Sequence, residues 1–229
     1  MNHSPIDLLA DDLLSDEEES SQSKESRLAD LQLKISQLPL SVKRAELLLD
    51  CGTLHLDFQQ KKEAWDVARE AFDLFAKEQA WELAVVATDI MVASDQKESL
   101  IALAHGVWIG ITYPINPETT NAILQYMIDE SPTGSDTAAV AAVTSHFLAD
   151  LRQLDGQAGE NLLFFTNRRL AEVAAQHRNI KNQEEFDIWM VGNEFDNPDS
   201  FLPKLSAAID ALANNNWWID REALRAALP

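Results

Sequence analysis

The sequence predicts an all-α protein, and three observations lead to that prediction. The 229 residues include only 7 glycines and 8 prolines, so there are few places for turns. Alanine and leucine dominate the middle of the chain, and both residues favour helices over strands. No segment alternates convincingly between polar and apolar residues with the period of two that marks a half-buried strand. We therefore expect stacked antiparallel helical hairpins, arranged as a solenoid or as a compact bundle.

The first 26 residues differ from the rest and are predicted to form a disordered acidic arm. Leucine pairs alternate with acids in IDLLADDLLSDEEES, and serine and glutamate follow. The arm has too few apolar side chains to fold alone, and its like charges repel one another. Its apolar residues could bind in a partner's groove as one face of a short helix, although acidic arms often serve solubility only. The leucines predicted to bind a partner are Leu8, Leu9, Leu13 and Leu14.

Residues 27–229 are predicted to form one all-helical domain, with repeat-like hairpins over 27–154 and a C-terminal helical extension over 155–229. Short loops with start and stop signals separate the helices, which favours antiparallel neighbours. The predicted helices span 27–38, 41–59, 61–77 and 81–92, followed by one that ends near 112, one that starts at 117, one over 135–154, one that ends near 178, and three that start after 182, 197 and 220.

The clearest start signals combine a capping side chain with a proline. Asn116-Pro117-Glu118 offers a cap, a proline at the first helical position and an acid near the helix dipole, and Asn197-Pro198-Asp199 repeats the pattern. The stretch Asp95–Glu98 has the spacing of a capping box. Ser41 and Asp220 are predicted to cap the helices that follow them.

The net charge of −20 restricts the partners that the protein can have. Such a charge repels the phosphates of nucleic acids and of anionic membranes. We therefore expect a protein client, such as a basic protein or a larger enzyme complex under assembly. No apolar stretch reaches the roughly 18 residues that cross a bilayer, and the acidic N-terminus does not resemble a signal peptide. The single cysteine, Cys51, fits a reducing compartment, so a cytoplasmic location is expected.

Residues 42–112 resemble tetratricopeptide-type helical hairpin repeats. In that pattern a small residue in the first helix lets the second helix approach, and the second helix carries spaced alanines. The corresponding residues of this chain are Gly52, Ala64, Ala68, Ala71, Ala87, Ala102 and Gly106. The chain departs from the pattern at His55 and Ala68, where larger or aromatic residues are usual, and the closing proline is missing. The resemblance implies a curved stack of helices whose concave face binds peptide.

Few residues are candidates for catalysis. Cys51 and His55 lie four apart on one predicted helix and could provide a nucleophile or half of a zinc site, but the surrounding residues are apolar. His146 and Asp150 share this spacing, which also suits a surface hydrogen bond. No phosphate loop, nucleophile elbow or dinucleotide motif occurs. We therefore predict no cofactor, no metal and no enzymatic activity, with a small thiol- or metal-dependent enzyme as the alternative.

Two further groups are predicted to bind a partner. Arg168 and Arg169, with the nearby His177 and Arg178, form the one local basic cluster, which could receive carboxylates of the acidic arm or of a partner. Trp217 and Trp218 precede the last helix, and tryptophan is enriched among binding hot spots. Sealing the end of the helical stack is the other role open to these two tryptophans.

The sequence thus favours a non-catalytic interaction module, an adaptor or an assembly chaperone. It would hold a client through a helical surface and the acidic, leucine-containing arm. An acidic inhibitor that mimics nucleic acid is a further alternative, which the charge allows but does not select.

Overall fold

The computed structural model describes residues 22–228, and over that range the all-α prediction is confirmed, since it contains helices and no strand. The first helix, α1, covers 22–36 and so includes residues 22–26, which the sequence analysis assigned to the arm. The remaining helices are α2 (Val42–Asp57), α3 (Lys61–Lys77), α4 (Trp81–Ala93), α5 (Ser99–Thr112), α6 (Pro117–Glu130), α7 (Asp136–Leu151), α8 (Gly156–Arg178), α9 (Gln183–Gly192), α10 (Pro198–Ala213) and α11 (Arg221–Ala226).

Most of the predicted start signals cap helices in the structure. Asn116 accepts a hydrogen bond from the Glu118 N–H at 2.8 Å, with Pro117 in the first turn of α6. Asn197 accepts one from the Asp199 N–H at 3.1 Å in the same way. Because each capping oxygen satisfies an N–H that has no partner within the helix, these side chains fix where the helices begin. Side-chain caps also form at Ser41, Ser135, Asn182 and Asp220.

The predicted capping box at Asp95–Glu98 is wrong. Its fourth residue occupies the N-cap position of α5 without a side-chain hydrogen bond, and Asp95 has a φ of 52°, in the left-handed region. The turn is held instead by the Ser99 hydroxyl, which accepts the Gln96 N–H at 2.8 Å and donates to the Met91 carbonyl of α4 at 2.9 Å. A contact with the preceding helix, rather than the local spacing, therefore sets the start of α5.

The helices pack largely in chain order. Each helix from α2 to α8 contacts its successor, and contacts between helices two apart join α2 with α4 and α4 with α6. Helix α10 departs from this order because it packs against α5 and α7. The C-terminal part of the chain therefore returns to the middle of the protein.

Helix α5 lies in the interior of the fold. It contacts α4, α6 and α10, and every residue from Ala102 to Gly110 is buried. Burial of a continuous apolar run of this kind removes it from water and stabilises the fold. None of the helices in the described part of the chain has the length and apolar character needed to cross a bilayer.

Two glycines allow helices to approach closely. A Cβ at Gly106 of α5 would lie 2.7 Å from Ile123 Cγ1 of α6 and would overlap Thr88 Oγ1 of α4. A Cβ at Gly52 of α2 would lie 3.1 Å from Ile90 Cγ2 of α4. Gly106 therefore sits where two neighbouring helices leave no room for a side chain, whereas the contact at Gly52 is tight but less severe.

Candidate functional site

A groove runs between α6 and α8, which both pack against α7. Its cavity has a volume of about 280 Å³, at the lower end of the range of small-molecule sites. This volume suits a few side chains of a partner better than a large cofactor. The α6–α8 groove is lined by Glu118, Asn121, Ala122, Gln125, Ser145, Leu162, Phe165, Thr166 and Arg169.

Polar side chains in the wall of the α6–α8 groove already have hydrogen-bond partners. The buried Ser145 hydroxyl donates to Asn121 Oδ1, and Asn121 Nδ2 donates to the Pro117 carbonyl at 2.8 Å. The Thr166 hydroxyl lies 3.1 Å from Nδ1 of His146, and burial lowers the pKa of this histidine although Asp150 opposes the shift. These bonds join α6 to α7 and α7 to α8, so they hold the groove in shape.

Helix α8 exposes two adjacent phenylalanines, of which Phe165 lines the α6–α8 groove. The exposed fraction is 69% for Phe164 and 73% for Phe165, and Phe165 lines the cavity. Burying a phenylalanine side chain is worth roughly 1.5–3 kcal/mol, so a partner that covers the Phe165 ring would gain about that much. Neighbouring exposed aromatic side chains beside a concave surface are typical of protein-binding sites.

Arg168 and Arg169 lie on α8 beside these phenylalanines and are paired with acids of this chain. Arg168 Nε donates to Glu172 Oε1 at 2.9 Å, whereas Arg169 pairs with Asp129 of α6 and reaches Glu172 Oε2 at 3.4 Å. The Nε of Arg169 is buried and has no hydrogen-bond partner among the described residues. The two guanidinium groups are therefore largely neutralised, and a partner's carboxylate would have to compete for them.

The rest of the predicted basic cluster lies at the other end of α8. The buried His177 donates from Nε2 to Asp136 at 2.7 Å and accepts the Trp189 Nε1–H at its Nδ1 at 2.9 Å. The hydrogen bond from His177 lowers the pKa of Asp136, which Arg178 also approaches at 3.4 Å. The structure thus divides the cluster into Arg168 and Arg169 at the α6–α8 groove and a second pair at the end of the helix.

Trp217 and Trp218 pack over His105 of α5. The Trp218 ring stacks on the imidazole with 4.2 Å between centroids, and its backbone N–H donates to His105 Nε2 at 2.8 Å. The Arg69 guanidinium lies 3.9 Å from the centroid of Trp218, and that of Arg221 lies 3.6 Å from the centroid of Trp217. Both indole rings are half-buried, so they seal this side of the fold while part of each ring faces solvent. Partner binding by this pair stays a prediction.

The other predicted residues divide between those outside and those inside the described range. Leu8, Leu9, Leu13 and Leu14 lie outside the described residues.

Cys51 and His55 lie inside it and are both buried. Burial, reinforced by Asp50, raises the pKa of the Cys51 thiol to about 11, so the thiol is protonated at neutral pH. His55 Nδ1 bonds to Gln60 Oε1 at 2.6 Å. Among residues 22–228 no three His, Cys, Asp or Glu side chains are placed to hold a metal ion.

Sequence analysis missed the exposed phenylalanines, although a signal was present. Residues 162–165 are four consecutive apolar residues, Leu-Leu-Phe-Phe, within a helix. Because successive residues point about 100° apart, four in a row cannot share one buried face, and some must point outward. Comparisons of the chain with family models, with sequences of characterised proteins and with solved structures found no match.

Proposed function

We propose that this protein is a non-catalytic interaction module, an adaptor or assembly chaperone, which holds a protein client in the α6–α8 groove. The observation that carries the proposal is the exposure of Phe165 in the lining of a concave surface, with the exposed Phe164 next to it on α8. A client segment that inserts apolar side chains into the groove would bury the Phe165 ring.

The order of the helices supports a repeat-like scaffold for this groove. Consecutive helices contact one another, and α2, α4 and α6 form a row through contacts two helices apart, as expected of stacked antiparallel hairpins. Gly52, taken from the tetratricopeptide-like pattern, lies where α4 approaches α2.

The charge of the chain indicates what kind of client suits the groove. At a net charge of −20 the protein attracts basic proteins over long range and repels acidic ones. The acidic arm would add a second, largely electrostatic contact, while the phenylalanines provide the apolar one. The proposed place of action is the cytoplasm, which the single buried thiol of Cys51 fits.

Site-specific photo-cross-linking in the native cell tests the proposal. In one variant p-benzoylphenylalanine replaces Phe165, and in the control it replaces Leu33 of α1, which is 60% exposed but lies on another helix. We expect a protein to be captured from position 165 and not from position 33. We also expect Phe164→Ser together with Phe165→Ser to release this protein, whereas Leu33→Ser retains it.

Either of two results would contradict the proposal. If positions 165 and 33 capture the same proteins in the same amounts, or if the double serine variant retains the captured protein, the α6–α8 groove is not the client site.

A further inference from the structure

A second groove lies between the C-terminal end of α8 and α9, with a cavity of about 570 Å³. Its apolar lining includes Ile180, Ile188 and the largely buried Trp189. Ile188 is 65% exposed, and Val191, one turn further along α9, is 64% exposed. The α8–α9 groove therefore offers an uncovered aliphatic surface about four residues long on one helix.

Two cations and one carboxylate line the α8–α9 groove beside this aliphatic surface. The carboxylate, Glu185, accepts the backbone N–H of Lys181 at 2.7 Å. Arg178 and Lys181 line the α8–α9 groove, and Arg178 also lines an adjoining cavity of about 400 Å³ together with Lys204. The pairs that these cations form are long, 3.4 Å from Arg178 to Asp136 and 3.9 Å from Lys204 to Glu194. No carboxylate among residues 22–228 forms an ion pair with the Lys181 ammonium.

This makes the α8–α9 groove a better receptor for carboxylates than the α6–α8 groove. There, Arg168 lies 2.9 Å from Glu172, and Arg169 is paired with both Glu172 and Asp129. An incoming acid would have to displace these partners. At the α8–α9 groove it meets Arg178, which donates to the His177 carbonyl at 2.9 Å but lies 3.4 Å from its carboxylate partner, and Lys181, whose ammonium has no ion pair among the described residues.

The chain itself contains a segment with matching chemistry. Residues 1–21 hold seven of the 38 acidic residues and none of the 18 lysines and arginines. Its leucines come in two pairs five residues apart with acids between them, so apolar and acidic groups are interleaved over a short length. The leucine and isoleucine residues of the segment are Ile6, Leu8, Leu9, Leu13 and Leu14.

We propose that residues 1–21 dock in the α8–α9 groove when no client is bound, with leucines covering Ile188 and acids facing Arg178 and Lys181. The contact buries exposed aliphatic surface and neutralises both sets of charges. Docking keeps residues 1–21 from binding other basic surfaces until a basic client competes for their acidic side chains. The docking itself needs no client, and only its release by a basic client rests on the proposed function.

Disulfide formation in the full-length chain tests the docking. Leu9→Cys is combined with Ile188→Cys, and in the control with Leu33→Cys, an exposed position much nearer to residue 9 along the chain. Cys51 is kept, since its thiol is buried. In a buffer of oxidised and reduced glutathione at low salt, we expect the disulfide between positions 9 and 188 to form about tenfold faster than the control disulfide, because docking raises the effective concentration.

Two further measurements make the test specific. Lys181→Glu should slow the disulfide to about the control rate, whereas Lys97→Glu, on an exposed turn, should not change it. Salt at about 1 M should slow it as well, because it screens exposed charges. A monomeric disulfide product shows docking within one molecule, and a dimeric product shows docking onto a second copy.

Either product supports the docking, and equal rates at positions 188 and 33 overturn it. A rate that neither Lys181→Glu nor salt reduces also overturns it, because the acids would then have no role. Neither of these results would affect the cross-linking test at Phe165, which reports on a different groove.

Discussion

Lowering the pH below 6.5 should destabilise the folded protein through His105. In the fold its imidazole is fully buried, with Nδ1–H donating to the Ile101 carbonyl at 2.8 Å and Nε2 accepting the Trp218 N–H at 2.8 Å. If Nε2 were protonated, its N–H would point at the Trp218 N–H, so that two donors would face each other without an acceptor. The imidazolium charge would also lie near the guanidinium groups of Arg69 and Arg221. The folded state therefore keeps this imidazole neutral, whereas the unfolded chain lets it bind a proton.

The size of the stability loss follows from the difference between the pKa of His105 in the unfolded chain and its pKa in the folded protein. Burial, aided by the two guanidinium groups and opposed by the Ile101 hydrogen bond, lowers the pKa of His105 from 6.5 to about 4. Because the unfolded state binds more protons between these two values, the free energy of unfolding falls as the pH falls. Each pH unit in this window costs about 1.4 kcal/mol, so the loss is negligible above pH 6.5, about 2 kcal/mol at pH 5 and about 3 kcal/mol at pH 4.

The assay compares the wild type with His105→Gln. Glutamine keeps one donor and one acceptor but does not titrate, so the difference between the proteins removes the contributions of the many carboxylates. Urea unfolding followed by tryptophan fluorescence gives the free energy of unfolding at pH 7, 6 and 5. Between pH 7 and pH 5 we expect the wild type to lose about 2 kcal/mol more than the variant.

Two results would refute this reasoning. If the two proteins lose the same stability within about 0.5 kcal/mol between pH 7 and pH 5, His105 titrates equally in both states. If NMR of the folded protein shows the imidazole protonating near pH 6.5, the packing of Trp218 does not exclude the proton.

Three other predictions follow from the packing. In urea unfolding, Gly106→Ala should lower the free energy of unfolding by about 1–3 kcal/mol, because the added methyl group has no room. Gly192→Ala, where no atom lies within 4 Å of the added Cβ, should be neutral or mildly stabilising. Equal effects of the two substitutions would contradict the packing. Arg152→Gln should lower the free energy of unfolding by about 2–3 kcal/mol, since the Arg152 guanidinium donates to two carbonyls near the end of α5 at 2.8 and 3.2 Å. As its control, Arg168→Gln at an exposed ion pair should lower it by less than about 1 kcal/mol. Iodoacetamide should alkylate Cys51 far more slowly in the folded protein than in urea, and fast labelling of the folded protein would show an accessible thiolate.

Much of the secondary structure could be predicted because its signals are local. An asparagine followed by a proline was sufficient at Asn116 and Asn197, since the cap and the first turn are adjacent in sequence. The bounds of α3, Lys61–Lys77, were predicted at both ends. By contrast, the start of α5 depends on Ser99 reaching a carbonyl of α4, and no spacing within the loop reveals that contact.

The candidate site was harder to predict because it depends on which helices are neighbours. The lining of the α6–α8 groove comes from residues as far apart as Glu118 and Arg169. The run of apolar residues at 162–165 could have shown that some side chains point outward, but not that they border a groove. The pairing of Arg169 with Asp129 likewise requires the packing of α8 beside α6.

The association of α10 with α5 and α7 bears on how the protein is made. A simple linear array can mature unit by unit as it leaves the ribosome, because each new unit needs only the one before it. Here Trp218 binds His105, 113 positions earlier, so that part of α5 stays uncovered until Trp218 has been synthesised. A nascent chain halted before Trp217 would leave the His105 face of α5 without its tryptophan cover, where chaperones and proteases could recognise it.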